Sequence, residues 1–266
     1  HRALHGVRRF QSDHERLWRL FKDAIGKALP RRAPIDVGKL PAVVDLVPFL
    51  PGTRLLRERV ARAALLVRMV ACLRSKDALR IRRSSIERAT LSNGLTVVRF
   101  RYESKMSTRL NVECDVNYVE ELDAAHEAIC PARALLALRA EVDALMMGVA
   151  ADERHDAVMV DVRRPYASLS ADSIGRYARD LLDRWAHATG SSVALSGHKL
   201  RLIAADSLKN RGVSHASLCI RAGWKPDAMA PWSTVLQHIY QSRAVPENFA
   251  RVLLAPVAGT VSERRL

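Results

Sequence analysis

The chain has 266 residues, 48% of them apolar, and its 43 Lys and Arg stand against 28 Asp and Glu, a net charge of +15. That length buries an ample core without disulfides or metal, which excludes small stapled scaffolds. No run approaches the ~20 apolar residues of a membrane span, since even the apolar stretch from Ala61 to Leu73 is interrupted by Arg62 and Arg68. Arg outnumbers Lys by 35 to 8. That bias favours planar, bidentate contact with phosphate over point charge, so a polyanion is the leading partner. The four cysteines, Cys72, Cys114, Cys130 and Cys219, form no CxxC pair and have no ordered His partners, so neither a zinc framework nor a disulfide scaffold is indicated. The chain opens on His1 with no apolar signal segment behind it and reads as a fragment of a longer protein.

In chain order, Phe10, Leu17, Leu20, Phe21, Ile25 and Leu29 recur at near-helical spacing, so Arg9 to Leu29 reads as a helix. The basic, proline-bounded linker Pro30 to Pro34 follows it. Two core helices are expected over Asp36 to Leu50 and Thr53 to Arg74, parted by Pro51-Gly52. The pattern then changes. Ile86 to Leu91 and Leu95 to Tyr102 flank Ser92-Asn93-Gly94, a strong hairpin signal, and Arg109 to Val116 alternates as a third strand. Helical spacing returns over Pro131 to Met147, Ala171 to Thr189, His198 to Asn210, Ser214 to Ala222 and Trp232 to Ser242. Gly148 to Asp156 and Asp161 to Pro165 read as loops. Beyond Arg243, only Glu247 to Leu254 suits a short helix, and the last residues read as a tail. The expected fold class is mainly α with a small three-stranded antiparallel β-sheet.

The sharpest local feature is Ser196-Gly197-His198-Lys199-Leu200-Arg201, where His198 and Arg201 stand three apart at a helix start and can reach one anion. Upstream, Arg74 closes an apolar helix with Asp77 three residues later, and Lys105 sits just past the second strand. Downstream, Trp224 follows a helical run and Tyr240 is the only Tyr after His198. Singly, each has a bland reading: Arg74 and Asp77 as a helix-end ion pair, Lys105 as a solvated turn residue, Trp224 as a core aromatic. The order Arg, Lys, His-x-x-Arg, Trp, Tyr is what sets them apart. His126, His155, His187 and His215 lack partners at useful spacing.

On those residues the sequence resembles the tyrosine recombinase (phage-integrase-like) family, over about Arg32 to Ser242. Arg32-Ala33-Pro34-Ile35-Asp36 is similar to the entry of that family's catalytic domain, and Arg74 to Leu79 to its first arginine motif. The hairpin with Lys105 is similar to its lysine-bearing turn, and His198-Lys199-Leu200-Arg201 to its most diagnostic box. The resemblance implies three parts: residues 1–30 as the end of a helical DNA-binding domain with its linker, 31–243 as the catalytic domain, and 244–266 as a tail able to dock on a neighbouring protomer. It implies that Tyr240 attacks a DNA phosphorus to give a 3′-phosphotyrosyl intermediate. Arg74 and Arg201 would hold the non-bridging oxygens, and Lys105 would protonate the leaving 5′-oxygen. His198 would assist proton transfer at the tyrosine, and Trp224 would donate its indole N–H. Asp77 would buttress the first arginine motif. No cofactor and no metal is called for.

The partner is then double-stranded DNA, with Lys76, Arg80, Arg82, Arg83 and Lys199 as backbone contacts. The active form would be a tetramer on two duplexes. A eukaryotic host, suggested by Trp in place of the family's more frequent His, would make the protein a nuclear mobile-element enzyme; a bacterial host would make it nucleoid-associated. One departure stands: Tyr240 lies sixteen residues after Trp224, farther than the family's usual spacing, where Trp232 and Ser233 fall instead. Two alternatives follow, a catalytically inactive DNA-binding protein on the same fold and a type IB topoisomerase-like relaxing enzyme.

Overall fold

The computed structural model describes residues 40–92, 94–103, 112–118, 129–192, 196–222 and 249–254. The chain divides into two compact units, His1–Gly38 and Lys39–Leu266. The first unit lies outside the described residues, with the expected helix from Arg9 to Leu29 and the boundary at Pro30. The second is mainly helical with one three-stranded antiparallel sheet, as expected.

The helix expected over Asp36 to Leu50 is shorter in the structure: α1 spans only Val43–Leu46 and tightens into a 3₁₀ turn over Val47–Phe49. Pro48 explains the break, because a residue without an N–H is tolerated only in a first turn. α2 runs Leu56–Val70 rather than from Thr53 to Arg74. Glu58 starts it, its carboxylate accepting the N–H groups of Arg54 and Leu55 at 3.1 Å each, donors a helix start otherwise leaves unsatisfied. Every residue from Ala63 to Val70 is buried, so α2 is the central helix of the unit.

α2 ends in a Schellman turn. The Leu73 N–H reaches back to the Arg68 carbonyl at 3.0 Å, and Cys72 takes the left-handed conformation at φ 49°. A non-glycine residue there costs about 1 kcal/mol, which the burial of Ala71, Cys72 and Leu73 offsets. The turn changes the place of Arg74: instead of closing α2, it is the N-cap of the next helix, α3, Ser75–Leu79.

The sheet follows as a meander, β1 Glu87–Thr90, β2 Thr96–Tyr102 and β3 Val112–Asn117. Leu91 N–H to Leu95 carbonyl (2.9 Å) closes the hairpin, with Gly94 at φ +82°, a value an L side chain resists. β2 shows why the strands pair in this register. Val98, Phe100 and Tyr102 face Val116, Cys114 and Val112 on the core side, whereas Arg99 and Arg101 stand opposite Asp115 and Glu113. Arg99 Nε lies 2.9 Å from the Asp115 carboxylate and 3.1 Å from that of Glu113. A one-residue slip would move the apolar set off the core and break the charge ladder together. The expected start of the third strand, Arg109 to Asn111, lies outside the described residues.

α4, Pro131–Met147, opens on Pro131 and lays Leu135, Leu138, Val142 and Met146 against α2 and the sheet. α5, Ala171–Thr189, is capped by the Ser170 hydroxyl, which accepts the Ser173 N–H at 3.1 Å, and buries Ile174, Ala178, Leu181, Leu182 and Trp185. α6, Lys199–Asn210, and α7, His215–Ala222, each begin one residue later than expected. The Ser207 hydroxyl of α6 accepts the Val43 N–H at 3.0 Å and ties α6 to α1. The expected helix from Trp232 to Ser242 lies outside the described residues. Within 244–266, α8 forms over Phe249–Leu254 and packs against α1, α2, α6 and β3 of its own chain, burying Ala250, Leu253 and Leu254. No described helix is long and apolar enough to cross a membrane.

Because α8 caps a core shared by four elements, Leu253→Ala should lower unfolding stability by about 2–4 kcal/mol in a urea titration. An unchanged midpoint would show that α8 does not belong to that core.

Candidate active site

Among the described candidates are Arg74, Asp77, His198 and Arg201; Lys105, Trp224 and Tyr240 lie outside the described residues. Arg74 owes its position to two turns. The Schellman turn after α2 delivers it, and Asp77, almost completely buried, holds it by accepting the Arg74 backbone N–H at 3.4 Å. Asp77 therefore acts on the Arg74 main chain, the half of a capping box that fixes a helix entry. The half-buried Arg74 guanidinium makes no hydrogen bond or ion pair with any described residue.

His198 is the N-cap of α6 and is exposed. One turn on, Arg201 is buried, 6% exposed, and its Nη2 donates to the Ala222 carbonyl at the end of α7. Arg201 is thus tied to the segment that leads into Gly223-Trp224, while His198 on the same helix end faces solvent. The turn before His198 is confined. A Cβ on Gly197 would stand 2.4 Å from the Gly175 carbonyl oxygen and 3.3 Å from the Ala178 Cβ. Gly197 is where the α6 entry presses against α5, and any side chain would push them apart.

Arg68, on the last full turn of α2, joins these pieces. Its guanidinium is 2% exposed; Nη2 donates to the Gly197 carbonyl at 3.0 Å and Nη1 to the Ile174 carbonyl at 3.3 Å, while Nε finds no partner. Burial pushes its pKa down to about 10, so it is still a cation at neutral pH. Through Arg68, α2 grips both the first turn of α5 and the α6 entry. α3, which Arg74 caps, packs on α5 as well. The turn before Arg74 and the entry to α6 are thereby both joined to the end of α2.

The expected DNA-backbone cations are placed unequally. Lys76 and Arg80 are exposed, Arg80 donating to the Glu103 carbonyl at 3.3 Å. Arg82 is paired with the Glu103 carboxylate at 2.5 Å, and Arg83 with Asp143 and the His155 carbonyl. The last two brace the loop between α3 and β1. Lys199 is half-buried. A different basic surface went unnoticed in the sequence: a cleft of about 330 Å³ lined by Arg57, Arg163, Arg176, Tyr177, Asp161 and Asp180. Arg176, Tyr177 and Asp180 lie on one side of α5 beside its core stripe of Ile174, Ala178, Leu181 and Trp185, with Tyr177 packed against the core. Burial pushes the Tyr177 phenol up from its ordinary value, partly offset by the Arg57 guanidinium that hydrogen-bonds it. Arg57, Arg163 and Arg176 form no ion pair with a described carboxylate, and Arg176 reaches only the Ser173 hydroxyl, at 3.2 Å. The helical spacing of Ser173, Arg176, Tyr177 and Asp180 was the signal, masked by the charge that the chain carries everywhere. Among the described residues no group of His, Cys, Asp or Glu is placed to hold a metal ion.

No family model matches this sequence, and a comparison with curated proteins returns no match. Among solved structures, an FLP recombinase–Holliday junction complex is similar over 86% of this chain and 54% of its own, at 12% identity and a TM-score of 0.45. An Flpe–Holliday junction complex is similar over 86% and 54%, at 13% identity and a TM-score of 0.44. A complex of an Flpe mutant with a DNA Holliday junction is similar over 82% and 51%, at 12% identity and a TM-score of 0.46. The chain spans about half the length of these structures.

Gly197→Ala forces a Cβ onto the Gly175 carbonyl, so it should destabilise the protein by about 1–3 kcal/mol and shift the NMR resonances of residues 196–201 most. Wild-type stability in that variant would show that α5 and the α6 entry do not press together.

Proposed function

We propose that this chain cleaves and rejoins DNA strands through a tyrosine nucleophile. The observation that supports the reading is that Arg68 engages both the turn leading to Arg74, through its carbonyl, and the entry to the His198-x-x-Arg201 helix, through its guanidinium. Two arginines and a histidine suit a phosphodiester. Its five-coordinate transition state gathers negative charge on the non-bridging oxygens, which fixed cations offset without reorganising.

In this reading the Tyr240 oxygen attacks phosphorus, the bond to the 5′-oxygen breaks, and Lys105 delivers the proton that the leaving oxygen needs. His198 takes the phenol proton. The phosphotyrosyl ester retains the energy of the diester it replaces. A 5′-hydroxyl from the same or another strand reverses the attack and releases the tyrosine, so strands are exchanged with no external energy source. Arg74 and Arg201 hold the phosphate in both directions, and Trp224 adds an indole N–H. The duplex backbone is held by the exposed cations Lys76 and Arg80 and by Arg57, Arg163 and Arg176 of the α5 cleft. Site-specific recombination or transposition by a tetramer on two duplexes is the biological form of this chemistry.

A covalent-trapping assay tests it: the protein and nicked duplexes without added metal, resolved on a denaturing gel. Wild type should give a protein–DNA adduct and Tyr240→Phe none; an adduct retained in that variant would move the nucleophile elsewhere. Arg201→Ala should lower adduct formation by at least 100-fold, the order expected when one transition-state donor is removed, while gel-shift affinity survives. Binding should weaken steeply between 50 and 200 mM salt, about as each neutralised phosphate releases its counterion. Binding indifferent to salt would defeat the proposed DNA surface, and a wild type that binds without forming an adduct would favour a noncatalytic DNA-binding protein.

A further inference from the structure

We infer that Arg68 is a positioning residue for the phosphate-binding group: its buried guanidinium sets the α6 entry, and with it His198 and Arg201, at a fixed place relative to the turn that carries Arg74. The role in catalysis rests on the proposed function; the mechanical coupling does not. Three observations carry it.

First, Arg68 is buried in the last turn of α2, flanked by Val67 and Met69 that are fully buried, and no described carboxylate neutralises it. Taking a guanidinium out of water is costly, and a side chain kept there for packing alone would be better served by Leu or Met. Second, both hydrogen bonds go to main-chain carbonyls of the segments that position the site. The Gly197 carbonyl, 3.0 Å from Nη2, belongs to the residue before His198, and the Ile174 carbonyl, 3.3 Å from Nη1, neighbours Gly175, against which Gly197 presses. The planar fork of arginine spans both at once, which an ammonium on a flexible stem does not. Third, the Arg68 main chain is engaged in the other half of the site. Its carbonyl accepts the Leu73 N–H at 3.0 Å in the turn that presents Arg74. One residue thus closes the Arg74 turn with its backbone and holds the His198 turn with its side chain, so a shift of either is felt by the other.

Phosphoryl-transfer chemistry is unforgiving of sub-ångström misplacement, and a donor displaced from the developing charge loses most of its effect. Arg68 reaches none of the reacting atoms in this scheme; it acts through Gly197. Its removal should therefore leave DNA affinity, which depends on many surface cations, nearly intact and impair the step after binding.

The experiment uses the whole chain and compares wild type, Arg68→Met, Arg68→Lys and, as a matched loss of core packing on the same helix, Leu66→Ala. Hydrogen exchange read by mass spectrometry on the peptide containing residues 196–201, with cleavage of a nicked duplex by the bound complex, gives two independent readings. Arg68→Met should speed exchange in that peptide at least tenfold beyond any change in Leu66→Ala, slow single-turnover cleavage at least tenfold, and change the DNA dissociation constant less than twofold. Arg68→Lys should recover part of both. Exchange in 196–201 that follows global stability equally in Arg68→Met and Leu66→Ala would overturn the coupling. Faster local exchange with unaltered cleavage would overturn the catalytic role. If wild type itself forms no adduct, the proposed reaction fails, and the exchange comparison alone decides the coupling.

Discussion

A buried cation with no described carboxylate beside it joins the central helix of this structure to two others. Arg68 lies in the buried last turn of α2, and its guanidinium donates to two main-chain carbonyls, those of Ile174 and Gly197. Replacing it would remove its donors from both carbonyls, and losing a hydrogen bond to a buried group costs roughly 1–3 kcal/mol. That cost links three helices that are remote in sequence, α2, α5 and α6, at one point. The contact forms only if α6 enters close enough for Gly197 to lie against the Gly175 carbonyl, so steric exclusion and hydrogen bonding impose the same geometry from opposite sides.

Around that point the unit divides its work between apolar and charged contacts in a consistent way. α2, α4 and the inner face of the sheet supply the volume, with Phe100, Tyr102, Leu65 and Leu66 among the fully buried side chains. The charges that brace the outside stand in cross-strand or interhelical pairs: Arg99 with Asp115 and Glu113 on the sheet, Arg59 with Glu141 between α2 and α4, and Arg83 with Asp143 between the β1 approach and α4. In a protein with fifteen more positive than negative charges, such pairing leaves a remainder of cations without carboxylate partners. Arg74 and the three arginines of the α5 cleft belong to that remainder. None of these four pairs with a described carboxylate, whereas Arg59, Arg83 and Arg99 do, a distinction that composition cannot make.

His198 and Arg201 illustrate how one helix start serves two environments. Residues three apart share a face, yet the first lies where α6 emerges from the α5 contact and is exposed, and the second lies under α7 and is buried. The buried Arg201 guanidinium is fixed by the Ala222 carbonyl. Asp77 has an equally indirect part: it sets the backbone of Arg74 and leaves the guanidinium alone, which is why the reading of an ordinary helix-end ion pair does not describe it.

The amino-acid sequence by itself determined the elements and their class. Apolar periodicity marked α4 and α5 at their true ends, and Asn-Gly between alternating strands marked the β1–β2 hairpin, because these signals are local and need no partner. It also singled out Arg74, Asp77, His198 and Arg201, through spacing along one helix turn. It misjudged the neighbourhood of Arg74, where a left-handed Cys72 ends α2 early; nothing local announces a non-glycine residue in that conformation, which only the surrounding burial sustains. Arg68 registered merely as an interruption of an apolar run, and Gly197 as a neighbour of His198. Their roles arise from contacts across 106 and 129 residues of chain. Tertiary structure alone decided which of the described cations are paired within the fold, because that depends on the carboxylates and carbonyls that folding brings within hydrogen-bond reach.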